Sequence, residues 1–392
     1  MGPHDEVEEW IARGILFGEQ ERYDEALAAY TRAADLAPDL AGVWVLKAAA
    51  LSELGRHDDA LVAYDRALAL DADEAPVWLF KADTLAMLER YEEALAACDH
   101  ALALDPTDGE AWQVRGAVLT ELERYEEAVK AYDRALALDP DEGDALVGKA
   151  DALVELDRYE EAIAIYDRTL ALDPQDEAAW SGKGDALTEL DRYDEALAAY
   201  DQALEIDPES DQALIGRADT LASLDRDGEA LESYELALAR DGESAWAWMG
   251  KGSVLTALER PHEALTAFNR ALKLEPESER GWFGKAVALA ALGRDGEALA
   301  ASKHALKLLP DDSDLWTLRA DAHLRLNQTE DALRAYTRAA TLDADNAWAW
   351  GGKTVCLYAL GRGRSAEAQK AEKRARALGL TVQVEQTPSG GE

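Results

Sequence analysis

"RYEEAVKAYDRALALDP" runs from Arg124 to Pro140. The same phrase stands 34 residues earlier as "RYEEALAACDHALALDP" (Arg90–Pro106) and 34 later as "RYEEAIAIYDRTLALDP" (Arg158–Pro174). Working outward, the alanine of "EEA" returns as Ala26, Ala60, Ala94, Ala128, Ala162, Ala196, Ala230, Ala264, Ala298, Ala332 and Ala366, with no insertion or deletion. A fixed period of this length marks a repeat architecture. With that alanine at position 20, the repeats are 7–40, 41–74, 75–108, 109–142, 143–176, 177–210, 211–244, 245–278, 279–312, 313–346 and 347–380. Residues 1–6 read as an N-terminal extension and 381–392 as a flexible tail.

Each repeat reads as helix, turn, helix. In "AWQVRGAVLTELERYEEAVKAYDRALALDP" apolar residues recur three and four apart in both halves, which predicts two amphipathic helices, A and B. Acids such as Glu126 and Glu127 suit the start of helix B, and proline at position 32 (Pro106, Pro140, Pro174) stops it. No stretch alternates with period two, so the fold class is all-α.

These residues carry a resemblance. Repeat 4 has Trp112, Gly116, Ala128, Tyr132, Ala135 and Pro140 at positions 4, 8, 20, 24, 27 and 32, and in this it resembles the tetratricopeptide repeat (TPR) family. The likeness spans all eleven repeats. It departs where position 11 is mostly leucine (Leu51, Leu85, Leu119), where position 7 is always lysine or arginine, and where the aromatic at 17 disappears after Tyr193. Small residues at 8, 20 and 27 let helices approach closely, large ones at 4 and 24 fill the space beside them, and neighbours stack because no repeat buries this face alone. The resemblance implies a right-handed superhelical α-solenoid with helices A lining its concave side. Family members that grip an acidic chaperone terminus use lysine at 5 and asparagine at 9; neither occurs here at those positions.

Eighty acidic against forty basic residues give a net charge of −40, which disfavours nucleic acids and anionic membranes as partners. No apolar run is long enough to cross a bilayer, and "MGPHDEVEEW" lacks the basic start of a signal peptide, so the expected location is cytoplasmic. Cys98 and Cys356 each stand at a core position and are expected to be inert. The six histidines form no metal-ligand spacing, "GKG" at Gly182–Gly184 and Gly250–Gly252 follows from glycine at position 8, and the recurrent "DEA" acids mark helix starts. No catalytic residue, cofactor or metal is expected, and an enzyme is not.

On helix A, positions 2, 5, 9, 12 and 13 form the stripe opposite tryptophan 4. Repeats 3 to 7 place Asp83, Glu110, Glu121, Asp144, Asp151, Glu155, Asp185, Glu189 and Asp219 there; repeats 8 to 11 place Trp246, Met249, Arg280, Phe283, Arg325, Trp348 and Tyr358. Position 20 is always alanine whereas position 5 varies widely. The expected function is therefore a non-enzymatic protein-interaction scaffold that binds an extended peptide or helix of a partner protein in the groove. The acids would attract a basic segment and the aromatics anchor it, with the protein itself monomeric. The alternative is an architectural spacer or self-assembling rod acting through its ends. Two structural expectations accompany this. Cations at position 7 should pair with acids at position 31 (Asp105, Asp139, Asp173), and 366–378 should be a capping helix bearing Glu367, Lys370, Lys373 and Arg374, followed by disorder over 385–392.

Overall fold

The computed structural model describes residues 3–382. Among the described residues it is entirely helical, with 22 α-helices forming successive hairpins, and it divides into two compact blocks. The N-terminal block, Met1–Ile206, holds α1 (Pro3–Gly18), α2 (Tyr23–Leu36), α3 (Ala41–Glu53), α4 (His57–Leu70), α5 (Ala75–Met87) and α6 (Tyr91–Leu104). It continues through α7 (Gly109–Glu121), α8 (Tyr125–Leu138), α9 (Gly143–Val154), α10 (Tyr159–Leu172), α11 (Glu177–Glu189) and α12 (Tyr193–Ile206). The C-terminal block, Asp207–Glu392, holds α13 (Asp211–Ser223), α14 (Asp227–Arg240), α15 (Ala245–Ala257), α16 (Pro261–Leu274) and α17 (Glu279–Ala291). Its remaining helices are α18 (Asp295–Leu308), α19 (Ser313–Arg325), α20 (Thr329–Leu342), α21 (Ala347–Ala359) and α22 (Ala366–Ala377). Odd helices are helix A of each repeat and even helices are helix B. Residues 3–6, expected as an extension, form the first turn of α1.

Each hairpin is built by the same local devices. Position 15, from Glu21 to Gly361, turns the chain with φ between 56 and 69° in every repeat. From repeat 4 onward the last residue of the preceding repeat caps helix A: Asp108, Asp176, Ser244 and Asn346 accept the N–H of Ala111, Ala179, Ala247 and Ala349 at 2.8–3.2 Å. Tryptophan 4 ties neighbours together, because its indole N–H donates to the carbonyl six residues back. The distances are 2.9 Å for Trp44, 3.1 Å for Trp112 and 2.9 Å for Trp316.

The core is thin and continuous within each block. Ala128 and Ala135 are buried at the A–B contact, and Tyr132 fills the space beyond them. Glycine permits this packing: a Cβ on Gly116 would stand 2.7 Å from Cε1 of Tyr132, and one on Gly148 only 2.5 Å from its Oη. In repeat 3 position 24 is Cys98 instead, and the next repeat's counterpart of Gly148 is Val114, packed against the same core cluster. Both cysteines are buried free thiols, pushed up to about 12 by burial, which leaves them protonated and unreactive.

In the middle repeats the position-7 cations are paired, but with position 25 of the preceding repeat. Lys81 meets Asp65 at 2.6 Å, Arg115 meets Asp99 at 2.8 Å, Lys149 meets Asp133 at 2.7 Å, and Lys251 meets Glu235 at 2.9 Å. Several also lie over tryptophan 4, as Lys81 does at 5.3 Å from the Trp78 ring. The expected acids at position 31 are occupied differently. Asp105 and Asp173 accept the N–H of Thr107 and Gln175, both at 2.9 Å, and so close the inter-repeat turn.

At the C-terminal end, α22 packs Ala368 and Ala371 with Leu357, buries Ala375 as well, and leaves Lys370 and Lys373 exposed. Val382, expected in the tail, lies against Gly351 together with Leu380. The stretch 385–392 lies outside the described residues.

Candidate functional site

In the N-terminal block the helix A faces carry two hollows. Ile11, Val45, Leu46, Pro76 and Phe80 line an apolar one of about 450 Å3 on α1, α3 and α5, with Phe80 exposed at its edge. The sequence reading missed it, although the signal was present. Helix α3, "AGVWVLKAAALSE", is apolar almost all round, so part of its apolar surface is left over after its packing on α2 and α4.

The second hollow shares α5. It measures about 620 Å3 and is lined by Asp83, Glu110, Asp139, Glu142 and Asp144 with no cation. Asp83 is half-buried and has neither a hydrogen bond nor an ion pair among the described residues. Burial first, then the charge of Glu110, pushes its carboxyl up to about 6. Its isolation has a cause in the repeat. Elsewhere the tyrosine at 24 donates to the aspartate at 9: Tyr200 to Asp185 at 2.6 Å, and Tyr166 to Asp151, Tyr234 to Asp219 and Tyr336 to Asp321 likewise. In repeat 3 the tyrosine is Cys98, so Asp83 keeps its lone pairs.

This ladder corrects the reading of Asp151, Asp185 and Asp219 as plain groove acids. They support buried tyrosines, and burial raises the Asp151 carboxyl while the Tyr166 hydroxyl partly offsets it. Glu110, Glu121, Asp144 and Glu189 are exposed on their helices as expected, and Glu155 is exposed just past the end of α9.

In the C-terminal block the structure brings Asp219, Trp246 and Arg280 together. The Trp246 indole N–H donates to Oδ2 of Asp219 at 3.0 Å, the Arg280 guanidinium stacks 4.8 Å from the ring centroid, and half of the side chain stays exposed. Trp348 is 71% exposed and Phe283 is half-buried. Arg325 is held by Asp295 at 2.6 Å. Two residues are not on the face. Met249 is 4% exposed: it packs with Ala245 and with Ala271 of α16, and Ser278 Oγ donates to its sulfur at 3.0 Å. Tyr358 turns into the last hairpin, packing in the cluster of Leu357 and Ala368 and donating to Glu372 at 3.1 Å.

Among the described residues no cluster of histidine, cysteine or carboxylate is arranged to hold a metal, and no helix is long and apolar enough to cross a membrane. Sequence profiles of the tetratricopeptide repeat match residues 19–83, 51–118, 119–185, 177–210, 249–313 and 317–388. No curated protein matches the sequence. Among solved structures, similarity extends to YrrB, described as a TPR protein with an unusual peptide-binding site, at 27% identity over 48% of this chain and 97% of that one (TM-score 0.40). PilW, a type IV pilus biogenesis factor, is similar at 23% identity over 53% and 96% (TM-score 0.49). A repeat protein from Parabacteroides merdae is similar at 20% over 60% and 93% (TM-score 0.47).

Proposed function

The chain belongs to the tetratricopeptide repeat family, and on that premise we propose that it is a cytoplasmic, non-enzymatic scaffold that holds an extended segment of a partner protein on its helix A faces. One observation carries the reading: an apolar hollow and an acidic hollow adjoin on α5, with Phe80 in one and Asp83 in the other. Such a pair fits a segment that offers an apolar side chain and, a few residues away, lysine or arginine. The apolar contact supplies most of the affinity, while the acids speed encounter and select charge. The exposed indole of Trp246, fixed by Asp219 and Arg280, is the corresponding contact of the C-terminal block.

The test is selection of a random-peptide display library on the full chain. Peptides pairing an apolar residue with a nearby lysine or arginine should be enriched, and Phe80→Ala or Asp83→Asn should each remove the enrichment. Enrichment of acidic peptides, or none, would refute the assignment. Growth of the chain's light scattering with its own concentration would favour the rod that acts through its ends.

A further inference from the structure

The repeat supplies its own baseline against which one cavity stands out. Between helix B of one repeat and the helices of the next lies a crevice where the position-7 cation meets its acid. Between α8, α9 and α10 it measures about 310 Å3, and its two cations are matched: Lys149 with Asp133 at 2.7 Å and Arg158 with Glu161 at 2.7 Å. Between α18, α19 and α20 the equivalent crevice measures about 650 Å3. Lys303, Lys307, Arg319, Arg334 and Arg338 line it against one carboxylate, Asp331.

Specific departures from the repeat make this difference. Position 25, an acid in repeats 2 to 7, is Lys303. Arg319 therefore lacks its carboxylate and reaches the Leu299 carbonyl at 3.3 Å and Ser302 Oγ at 3.5 Å. Position 22, Ala164 in the matched crevice, is Arg334. Position 24, a tyrosine in most repeats, is the small buried Ser302. Arg334 bonds to Asp331, and Arg338 to Asp311 at 2.7 Å, whereas Lys303 and Lys307 form no ion pair among the described residues. Three of the five cations, Lys303, Lys307 and Arg319, have no carboxylate partner among the described residues and repel one another, and in a chain of net charge −40 composition alone does not account for their meeting here.

We propose that this cavity binds a compact, multiply charged oxyanion of the phosphate class, carried by a small molecule. Its volume lies in the usual range of small-ligand sites. Arginine forks and lysine point charges together suit phosphate oxygens. Acidic surroundings repel long polyanions, so a compact anion is the one admitted. The site lies on helix B faces and does not depend on the peptide reading.

The test is isothermal titration of the full chain with inorganic pyrophosphate at constant ionic strength. Saturable one-to-one binding is expected, weakened at least tenfold by Lys303→Asp and by Arg334→Ala. Lys303→Asp restores the repeat's acid opposite Arg319, so its melting temperature without ligand should hold or rise while binding is lost. That separates a lost site from a lost fold. Absence of saturable binding, or equal binding by Lys303→Asp, overturns the proposal. A phosphoserine peptide or a DNA duplex that binds here tenfold more tightly than pyrophosphate overturns the small-molecule assignment.

Discussion

Replacing Gly148 by valine should break the packing on Tyr132, and replacing Tyr132 by cysteine in the same chain should largely restore it. The prediction comes from a pattern the chain already contains: glycine faces tyrosine across the junction of repeats 4 and 5, whereas the equivalent positions at the junction of repeats 3 and 4 are Val114 and Cys98, in one core cluster. A Cβ at 148 would stand 2.5 Å from Tyr132 Oη and 2.6 Å from Cζ, and valine adds two methyl groups beyond it. Overpacking of this kind costs about 1–3 kcal/mol. Tyr132→Cys alone removes a buried ring at a cost of roughly 3 kcal/mol, the low end for emptying an aromatic site. In the double variant the valine fills part of that cavity, so the two costs should fall short of their sum by about 2 kcal/mol. Repeat arrays need not unfold in one step, so the assay is native-state hydrogen exchange of the α8 and α9 amides in all four proteins. Additivity within about 0.5 kcal/mol would refute the size-matching argument.

Three further outcomes are expected. Lys149→Met should cost about 1 kcal/mol in urea unfolding, because Lys149 is 19% and Asp133 54% exposed; a loss above about 3 kcal/mol would mean that the pair behaves as buried. Asp83 has a folded pKa of about 6 against an ordinary 3.8, so its stabilising contribution is full below about 3.8 and lost as pH rises through about 6. Asp83→Asn should therefore be more stable than the parent by about 1–2 kcal/mol at pH 7.5, the gain closing toward pH 4.5, and equal urea midpoints across that range would contradict it. Deleting 366–392 uncovers Leu357 and should cause aggregation visible by light scattering; a monomeric truncated chain with unchanged melting would show that α22 is no cap.

The hairpins were legible because each rests on local signals: apolar periodicity, the acids that open helix B, the proline at 32, tryptophan 4 and the alanines at 20 and 27. Contacts between repeats were harder to read, because a helical wheel gives the side of a helix but not the height at which a neighbour meets it. Hence Lys149 pairs with Asp133 at position 25 and not with Asp139. The same limit hid Met249. Its side chain is covered by Ala271 of α16 and by Ser278 just before α17, neighbours that a wheel of α15 alone does not show. The tyrosine–aspartate ladder was invisible for a related reason, since positions 24 and 9 meet only once the hairpin closes. It changes what the acids do: reversing charge at Asp151 or Asp185 would strip the acceptor from a buried tyrosine, so those variants act on stability before they act on any partner. The apolar hollow was not legible because Ile11, Val45 and Phe80 are apolar like the core, and their sequence pattern does not distinguish a buried face from an uncovered one.

Amide hydrogen exchange of the full chain with and without a peptide taken from the display selection tests the scaffold reading most directly. The account predicts added protection on α3, α5 and α7, lost in Phe80→Ala, with the helix B faces unchanged. Protection confined to the even-numbered helices, or only to the two ends of the chain, would contradict it.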